Sequence, residues 1–345
     1  MRTCFFRSCG LALIGLFFSS QLLGQGMGMS DNPAYKAYFD SLRTMEYNYP
    51  LPIWGDKAYQ RGYDIQYPLG LSAVFFTQSQ DILIERTLIG FNGSEMADLS
   101  DFIVFGPTRA TTYAYTVRPD IWLFPFMNVY GIFGGGTTQT EITLLEPVGF
   151  QTEQRFRAIS AGIGITLVGA LGPIWLAWDN NYNYADVEVV VEPVPAFNSS
   201  LRVGHNFMSP YRPDRSLAIW AGMFYQSIQN DTEGKVPLQD IFPNAGEGQL
   251  IDRLDEWAET LPPPQRLIVR QIINKLEEIA EGLNPEDAII DYKLDKKVAG
   301  PFNLILGAQF QFNKHWILRT EMGVFGKRSQ FLLNLNYRFQ GFRKR

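Results

Sequence analysis

Residues 331–339 read FLLNLNYRF, and this stretch decides the fold class. Every odd-numbered position in it is apolar or aromatic, while Asn334, Asn336 and Arg338 occupy even-numbered positions. A β-strand places successive side chains on opposite faces, so a period of two separates the two sets. The stretch therefore predicts a strand with one apolar face and one polar face.

The two preceding segments repeat this alternation. Apolar positions in 302–312 and 316–324 share one face of each strand, namely Phe302, Leu304, Leu306, Ala308, Phe310 and Phe312, then Trp316, Leu318, Met322 and Val324. Polar residues and glycines take the other face, and the connection at 313–314 is short. A soluble sandwich would bury such apolar faces, whereas a membrane barrel would turn them toward lipid. The three segments predict consecutive antiparallel strands.

The start of the chain favours the membrane alternative. Residues 1–25 are expected to be a signal peptide, with Arg2 and Arg7 before an apolar core at 11–18 that is too short to span a bilayer. Export, long alternating strands and short connections together predict an all-β fold, an antiparallel transmembrane β-barrel. We expect a separate N-terminal segment at 26–61 and the barrel at 62–342.

The number of strands follows from the turns. We expect turns at 80–81 and 119–120, and a clear hairpin in which 159–167 pairs with 174–184. About eleven strands are visible in all. Because single-chain bacterial barrels have even numbers of strands, we predict about 12, with 10 and 14 as the alternatives.

One region switches from strand spacing to helical spacing. Apolar residues in 249–283 recur every three or four positions, and Pro262, Pro263 and Pro264 separate two runs. We predict an inserted two-helix hairpin, an αα-hairpin at 247–284, between two barrel strands. It is expected to form a cap, to plug the lumen, or to present an apolar stripe to a partner.

Charge and composition exclude several functions. The net charge of −5 becomes −7 if Arg2 and Arg7 leave with a signal peptide, which argues against nucleic acid as a partner. The chain has two histidines, and no second histidine lies at ligand spacing, so we predict no metal and no cofactor. A membrane-embedded hydrolase would need His205 to meet a serine such as Ser199, Ser200 or Ser227.

The alternating pattern also projects a set of polar side chains into the barrel interior. The predicted lumen-lining residues are Asp179, Asn181, Arg202, Gln309, Arg319, Glu321, Asn334, Asn336 and Arg338. They would form a selectivity lining for a small hydrophilic solute, or a salt-bridge and amide network that fills the barrel. The sequence leaves both alternatives open.

The ending at 331–339, with aromatics at alternate places, resembles the terminal strand of Gram-negative outer-membrane β-barrel proteins. Six residues follow Phe339 here, whereas the family usually ends on the aromatic. The resemblance covers residues 67–342 as a pattern and matches no porin, protease, acyltransferase or siderophore receptor. It implies an outer-membrane location, contact with lipid and lipopolysaccharide, and recognition by the barrel-assembly machinery.

The sequence therefore favours a barrel that passes or binds a small solute through a polar lumen. The first alternative is a structural or surface-interaction barrel with a filled lumen and a helical cap. The second alternative is a membrane-embedded lipid hydrolase or acyltransferase.

Overall fold

A computed structural model shows an all-β antiparallel barrel closed by ten strands. It describes residues 33–341, except 92, 94–95, 102–103, 147–149, 172, 189, 191, 210, 229–230, 238–248, 264–265, 268, 272 and 275–288. The predicted signal peptide lies outside the described residues. The ring closes because the strand Leu69–Phe91 pairs with the last strand, Arg328–Phe339, on one side and with the strand Thr108–Phe124 on the other.

The ring strands are long and antiparallel. In chain order they are β1 (Leu69–Phe91), β4 (Thr108–Phe124), β5 (Met127–Glu146), β6 (Phe150–Leu171), β7 (Ile174–Val187), β8 (Val194–Met208), β9 (Ser216–Ile228), β12 (Phe302–Gln311), β13 (Trp316–Phe325) and β14 (Arg328–Phe339). Around the ring the order is β1, β14, β13, β12, β9, β8, β7, β6, β5, β4.

The ring has ten strands, which is one of the two alternatives to the predicted 12. The count of eleven visible strands was one too high because the expected turn at 80–81 lies inside β1. The expected turn at 119–120 also lies inside a strand, but the chain turns at 125–126 instead, so the count does not change. Residues 80–81 continue β1, where Asp81 pairs with Arg109 and its N–H donates to the Lys327 carbonyl. Residues 119–120 continue β4, although proline supplies no N–H to a ladder. Pro119 still has a register partner, Leu71 of β1.

In the described part of the chain, four further strands lie outside the ring: β2 (Ala97–Asp98), β3 (Val104–Phe105), β10 (Asp231–Pro237) and β11 (Ile289–Val298). The second half of β1 leaves the ring and pairs with β11, from Ile82↔Val298 to Phe91↔Ile290. The barrel wall therefore extends well beyond the ring at one end, which we call the long-loop end.

The other end is the short-turn end, where residues 125–126, 172–173 and 312–315 connect ring strands. Short turns face the periplasm in outer-membrane barrels, so we assign this end to the periplasm. The long-loop end is then extracellular.

The outer face of the ring is apolar and carries two aromatic belts. Exposed rings near the short-turn end are Phe207, Phe310, Phe312, Trp316 and Phe339, and those toward the opposite end are Tyr113, Tyr115, Phe133, Tyr182, Tyr184, Phe197 and Phe302. Exposed Leu201, Leu306 and Leu335 lie between the belts. Aromatic rings favour the two membrane–water interfaces and aliphatic side chains favour the hydrocarbon, so this surface faces lipid and lipopolysaccharide.

The N-terminal segment is helical and packs at the short-turn end. It contains α1 (Pro33–Thr44) and α2 (Gly55–Gln60). The two helices surround a small core made by Leu42, Ala58, Tyr59, Tyr63 and Ile65. This core includes Tyr63 and Ile65, so residues 33–65 form one compact unit attached to the barrel, and we call these residues the N-terminal segment below.

The helical insertion is only partly described. Helix α3 (Gln249–Thr260) begins where helical spacing predicts, and Ala258 packs with Leu99, Val269 and Ile273. The second predicted helix has helical residues at 263, 266–267, 269–271 and 273–274, and the rest of it lies outside the described residues. A complete αα-hairpin thus stays a prediction. No helix in the described part of the chain is long and apolar enough to cross a membrane.

Candidate functional site

The barrel interior contains a cavity of about 210 Å³ in its periplasmic half. Every strand of the ring contributes a lining side chain, from Ser72 on β1 to Asn336 on β14. Inward positions alternate with the lipid-facing ones, which is why a sequence of period two builds a polar interior and an apolar exterior together.

The centre of the cavity wall is a bidentate ion pair. Arg202 Nε lies 2.6 Å from Glu321 Oε2, and Arg202 Nη2 lies 3.2 Å from Glu321 Oε1. The indole N–H of Trp220 also donates to Glu321 Oε2 at 2.9 Å. The two charged side chains are only 13% and 4% exposed. Burial this deep requires that the charges compensate each other.

Two further polar groups surround this pair. Arg319 donates from Nε and Nη2 to Gln309 Oε1 at 3.1 and 2.8 Å, and its guanidinium lies 5.7 Å from the centre of the Trp220 ring. On the opposite wall Asp179 accepts hydrogen bonds from Tyr130 Oη at 2.9 Å and Thr166 Oγ1 at 2.6 Å. These contacts hold both charged groups in fixed positions.

Inward glycines make room for the aromatic rings of the cavity. A Cβ on Gly307 would lie 2.3 Å from the Trp220 ring, one on Gly204 would lie 2.3 Å from the Trp175 ring, and one on Gly164 would lie 2.2 Å from the Tyr130 ring. Real Cβ contacts are never this short. Each ring therefore crosses over a neighbouring strand at an inward position that lacks a side chain.

A second ion pair lies at the periplasmic end of the cavity. Arg338 Nη1 is 2.8 Å from Asp120 Oδ1, and both side chains are less than 10% exposed. Asn128 donates to the same carboxylate at 2.8 Å, and Arg338 Nε donates to the Tyr67 carbonyl at 2.9 Å. This pair ties β14 to β4 across the start of β1.

Amide side chains cross the lumen toward the extracellular end. Gln78 donates to Gln226 at 3.4 Å, Gln226 donates to Asn198 at 3.0 Å, and Asn198 donates to Asn181 at 2.9 Å. Since β1 and β9 are four places apart in a ring of ten, the Gln78–Gln226 contact spans most of the lumen. We call these four side chains the amide layer.

Arg328 lies beside the amide layer and is 3% exposed. Its Nε donates to Gln80 Oε1 at 3.1 Å, and its guanidinium lies 5.2 Å from the Phe224 ring centre. Phe224 and Arg328 add to the obstruction that the amide layer makes.

The N-terminal segment covers part of the periplasmic mouth. Ile53 N–H donates to the Leu123 carbonyl at 2.8 Å, and the Trp54 ring lies 5.0 Å from the Phe124 ring. On the other side of β1, Lys314 Nζ lies 2.9 Å from Asp64 Oδ1. The segment is thus attached to two different periplasmic turns.

The contact between Lys314 and Asp64 is accompanied by shifted pKa values of Lys314 and Tyr38. Burial by itself disfavours the ammonium, but the Asp64 carboxylate and the neighbouring Tyr59 and Tyr38 outweigh it, so the pKa of Lys314 is raised. Burial, and then the Asp64 charge, raises the pKa of Tyr38, whose hydroxyl donates to Asp64 Oδ2 at 2.6 Å. Both shifts favour the protonated, hydrogen-bonded arrangement.

The structure places most of the predicted interior residues around one cavity. Its lining includes Asp179, Arg202, Gln309, Arg319, Glu321, Asn334, Asn336 and Arg338. Asn181 belongs to the amide layer instead. Sequence reasoning missed Asp120, which it assigned to a turn, and also Arg118, Tyr130, Trp175 and Trp220. The inward glycines opposite the three aromatic rings are the signal that could have located those rings.

The described residues do not bring His205 together with any of the three serines that the hydrolase alternative requires. His205 Nδ1 lies 2.7 Å from the Pro173 carbonyl oxygen at the periplasmic end. Ser199 is six residues away on the same strand, which corresponds to about 20 Å, and its hydroxyl bonds Asn180. Ser200 takes the opposite face of β8 from His205 because their positions differ by an odd number. Ser227 lies across the register from Phe197, eight residues from His205 on β8.

A closed antiparallel ring with two aromatic belts, an apolar outer face and a polar interior is the architecture of an outer-membrane β-barrel of a Gram-negative bacterium. No family model matches the chain. No curated protein sequence matches it either.

Solved structures of outer-membrane barrels have a similar architecture. The chain is similar to the β domain of the Bordetella autotransporter BrkA, with 8% identity, 79% and 100% of the two chains covered and a TM-score of 0.37. The chain is also similar to the COG4313 outer membrane channel of Pseudomonas putida F1, with 9% sequence identity and a TM-score of 0.29. That comparison covers 79% of this chain and 96% of the channel. Similarity to the Ralstonia pickettii toluene transporter TbuX covers 93% of this chain and 100% of the transporter, with 10% sequence identity and a TM-score of 0.31. Similarities this low carry no argument about function.

Proposed function

We propose that this barrel binds a small hydrophilic solute in its lumen and passes it across the outer membrane. The observation that carries the proposal is the cavity of about 210 Å³, which is lined by charged, amide and aromatic side chains and to which all ten ring strands contribute. A lumen that served only to stabilise the barrel would be filled by its own side chains, as small barrels usually are.

Passage requires that the obstructions at both ends of the cavity yield. They are the amide layer with Arg328 and Phe224 on the extracellular side, and the N-terminal segment on the periplasmic side. The amide layer closes the extracellular side of the cavity through neutral hydrogen bonds, of which the longest is Gln78 to Gln226 at 3.4 Å. Neutral hydrogen bonds contribute only about 1 kcal/mol each, so a solute or water can replace them at little cost. The N-terminal segment acts in this proposal as a removable periplasmic cap.

Solute uptake into liposomes tests the proposal. The refolded full-length protein is reconstituted, and swelling rates are measured with neutral and charged solutes of increasing size. We expect uptake of the smallest solutes and a sharp decline with size, because the cavity is small. Uptake equal to that of empty liposomes for every solute would contradict passage.

A filled structural barrel is the second candidate, and the Arg202–Glu321 pair favours it. The pair is bidentate, joins β8 to β13 and leaves little of either charge exposed. It closes space that an open channel would need. In this alternative the helical insertion at 247–284 and the extracellular strands would meet a surface partner, and neither solute binding nor uptake would be measurable.

The remaining expectations concern export and assembly. We propose that residues 1–25 are a signal peptide, that 62–342 fold as one barrel, and that the strand ending at Phe339 is recognised by the barrel-assembly machinery. Phe339 lies on the outer face and is 43% exposed. A Phe339→Ala variant should lower the fraction of protein assembled in the outer membrane, while exposed Phe325, at the other end of the band, provides the control substitution.

A further inference from the structure

The three carboxylates of the cavity are already occupied. Glu321 accepts from Arg202 and Trp220, and Asp120 pairs with Arg338. Asp179 accepts two hydroxyl hydrogen bonds, from Tyr130 and Thr166. The acidic groups therefore have their partners within the protein wall.

The basic groups and the indoles are not all occupied. Among the described residues, neither Arg118 nor Arg319 has a carboxylate oxygen within 4.0 Å. Arg118 makes one long contact, from Nε to Thr116 Oγ1 at 3.4 Å, and its guanidinium lies 5.9 Å from the Tyr130 ring centre. Both arginines line the cavity.

Two buried indole N–H groups also lack a hydrogen-bond acceptor among the described residues. Trp122 Nε1 and Trp175 Nε1 are shielded from solvent and have no acceptor among the described residues, although both side chains line the cavity. An unmade hydrogen bond on a buried donor is costly. The cavity thus has an excess of donors and of positive charge over free acceptors.

We propose that the solute of this cavity is a small organic carboxylate; this inference rests on the proposed solute-binding function. A guanidinium binds a carboxylate through parallel hydrogen bonds, so Arg118 and Arg319 would receive the charged end. The indole rings of Trp122, Trp175 and Trp220 would cover a flat apolar body. Asn334 Oδ1 is a buried acceptor that has no donor among the described residues, and a hydroxyl on that body would pair with it.

Calorimetric titration of the refolded full-length protein in detergent micelles tests the charge requirement. The probes are benzoate, its neutral isostere benzamide, and inorganic phosphate. We expect benzoate to bind at least about 10-fold more tightly than benzamide, which corresponds to the loss of one charged hydrogen bond. Added salt should weaken the binding of benzoate and leave any binding of benzamide unchanged.

A matched pair of variants locates the binding. Arg319→Gln keeps a polar side chain but removes the charge, and it should weaken benzoate binding by about 10-fold to 100-fold. Arg155→Gln removes an exposed arginine outside the cavity and should leave binding unchanged. If Arg319→Gln does not refold, Arg118→Gln replaces it, since among the described residues the Arg118 side chain makes a single long hydrogen bond, to Thr116.

The outcomes separate this proposal from the function on which it rests. Equal affinity for benzoate and benzamide, or no effect of the cavity variants, would overturn the carboxylate assignment while solute uptake into liposomes stood. Binding of phosphate without binding of benzoate would show that the site needs only an anion, and it would overturn the inference that the solute has an organic body. No binding of any probe would also overturn the assignment, and only the absence of uptake would remove the proposed function.

Discussion

Arg202 and Glu321 lie three places apart around the ring, on β8 and β13, and their side chains meet inside the lumen at 2.6 Å. No short-range sequence pattern links them, since they are 119 residues apart in the chain. The contact draws two walls of the barrel together near the middle of the membrane band. The contact is charged, bidentate and buried, and these are the features of a strong hydrogen-bonded ion pair.

Breaking this pair should destabilise the barrel strongly. Arg202→Gln leaves the Glu321 carboxylate buried with only the Trp220 indole as a donor. We expect a loss of about 3–5 kcal/mol in the free energy of unfolding, as for other buried pairs that lose one partner. Urea unfolding of the refolded protein in lipid vesicles measures it. The double variant Arg202→Met, Glu321→Leu should recover most of the loss, and a double variant as unstable as the single one would contradict this explanation.

Adding a methyl group at Gly307 should displace the Trp220 ring. The new Cβ would lie 2.3 Å from ring atoms of Trp220, and overpacking of this kind typically costs about 1–3 kcal/mol. Gly307→Ala should therefore lower the unfolding midpoint and change the tryptophan fluorescence. Gly300→Ala is the control, because its nearest atom would be 3.5 Å away. Equal stability of the two variants would show that the Trp220 ring does not cross over Gly307.

The attachment of the N-terminal segment should weaken at high pH. The folded-state pKa of Lys314 is raised above its ordinary value of 10.5, and that of Tyr38 above 10.0. A raised pKa contributes stability that is complete below the ordinary pKa and is lost as pH rises through the folded one. Protease cleavage of the segment should thus accelerate above about pH 10.

Removing the carboxylate that both groups contact provides the control. Asp64→Asn should make the segment more sensitive to protease already at pH 7, and it should flatten the dependence above pH 10. If protease cleavage of the wild-type segment instead accelerates at acidic pH, that result would contradict the role of the Lys314–Asp64 and Tyr38–Asp64 contacts.

Loosening the cap should speed solute uptake. Trp54 packs against Phe124 and Phe126, with ring centres 5.0 and 6.3 Å away. Trp54→Ala removes this contact and should raise the swelling rate of liposomes in small solutes. Met45→Ala, at an exposed position of the same segment, should leave the rate unchanged. A rate unaffected by Trp54→Ala would mean that the segment does not restrict the periplasmic mouth.

The local alternation of the sequence predicted the strands and their two faces well. In β12 to β14 the exposed Leu304 and Leu335 and the buried Asn303, Asn336 and Arg338 take the faces that a period of two assigns. The reason is physical: lipid on one side and a polar lumen on the other impose opposite solvents on successive residues. The fold class and the identity of most lumen-facing positions follow from this alone.

The strand count and the partners across the lumen could not be predicted in the same way. Pro119 and Asp120 have the composition of a turn, but pairing with β1 keeps them in a strand, where Asp120 meets Arg338 from the far end of the chain. The Trp220 ring lies over Gly307, which is 87 positions further on (307 − 220). Such contacts depend on the ring closing, and ring closure is a property of the whole chain.

Conductance across a planar lipid bilayer tests the central claim most directly. Single insertions of the refolded full-length protein are compared with the double variant Gln78→Ala, Gln226→Ala and with the outward-facing control Ser329→Ala. We predict small stable current steps for the wild type and the control, and larger steps for the double variant, because it opens the amide layer. Silence from all three proteins, each shown to be folded and inserted, would contradict a solute-passing barrel and leave the filled barrel as the better account.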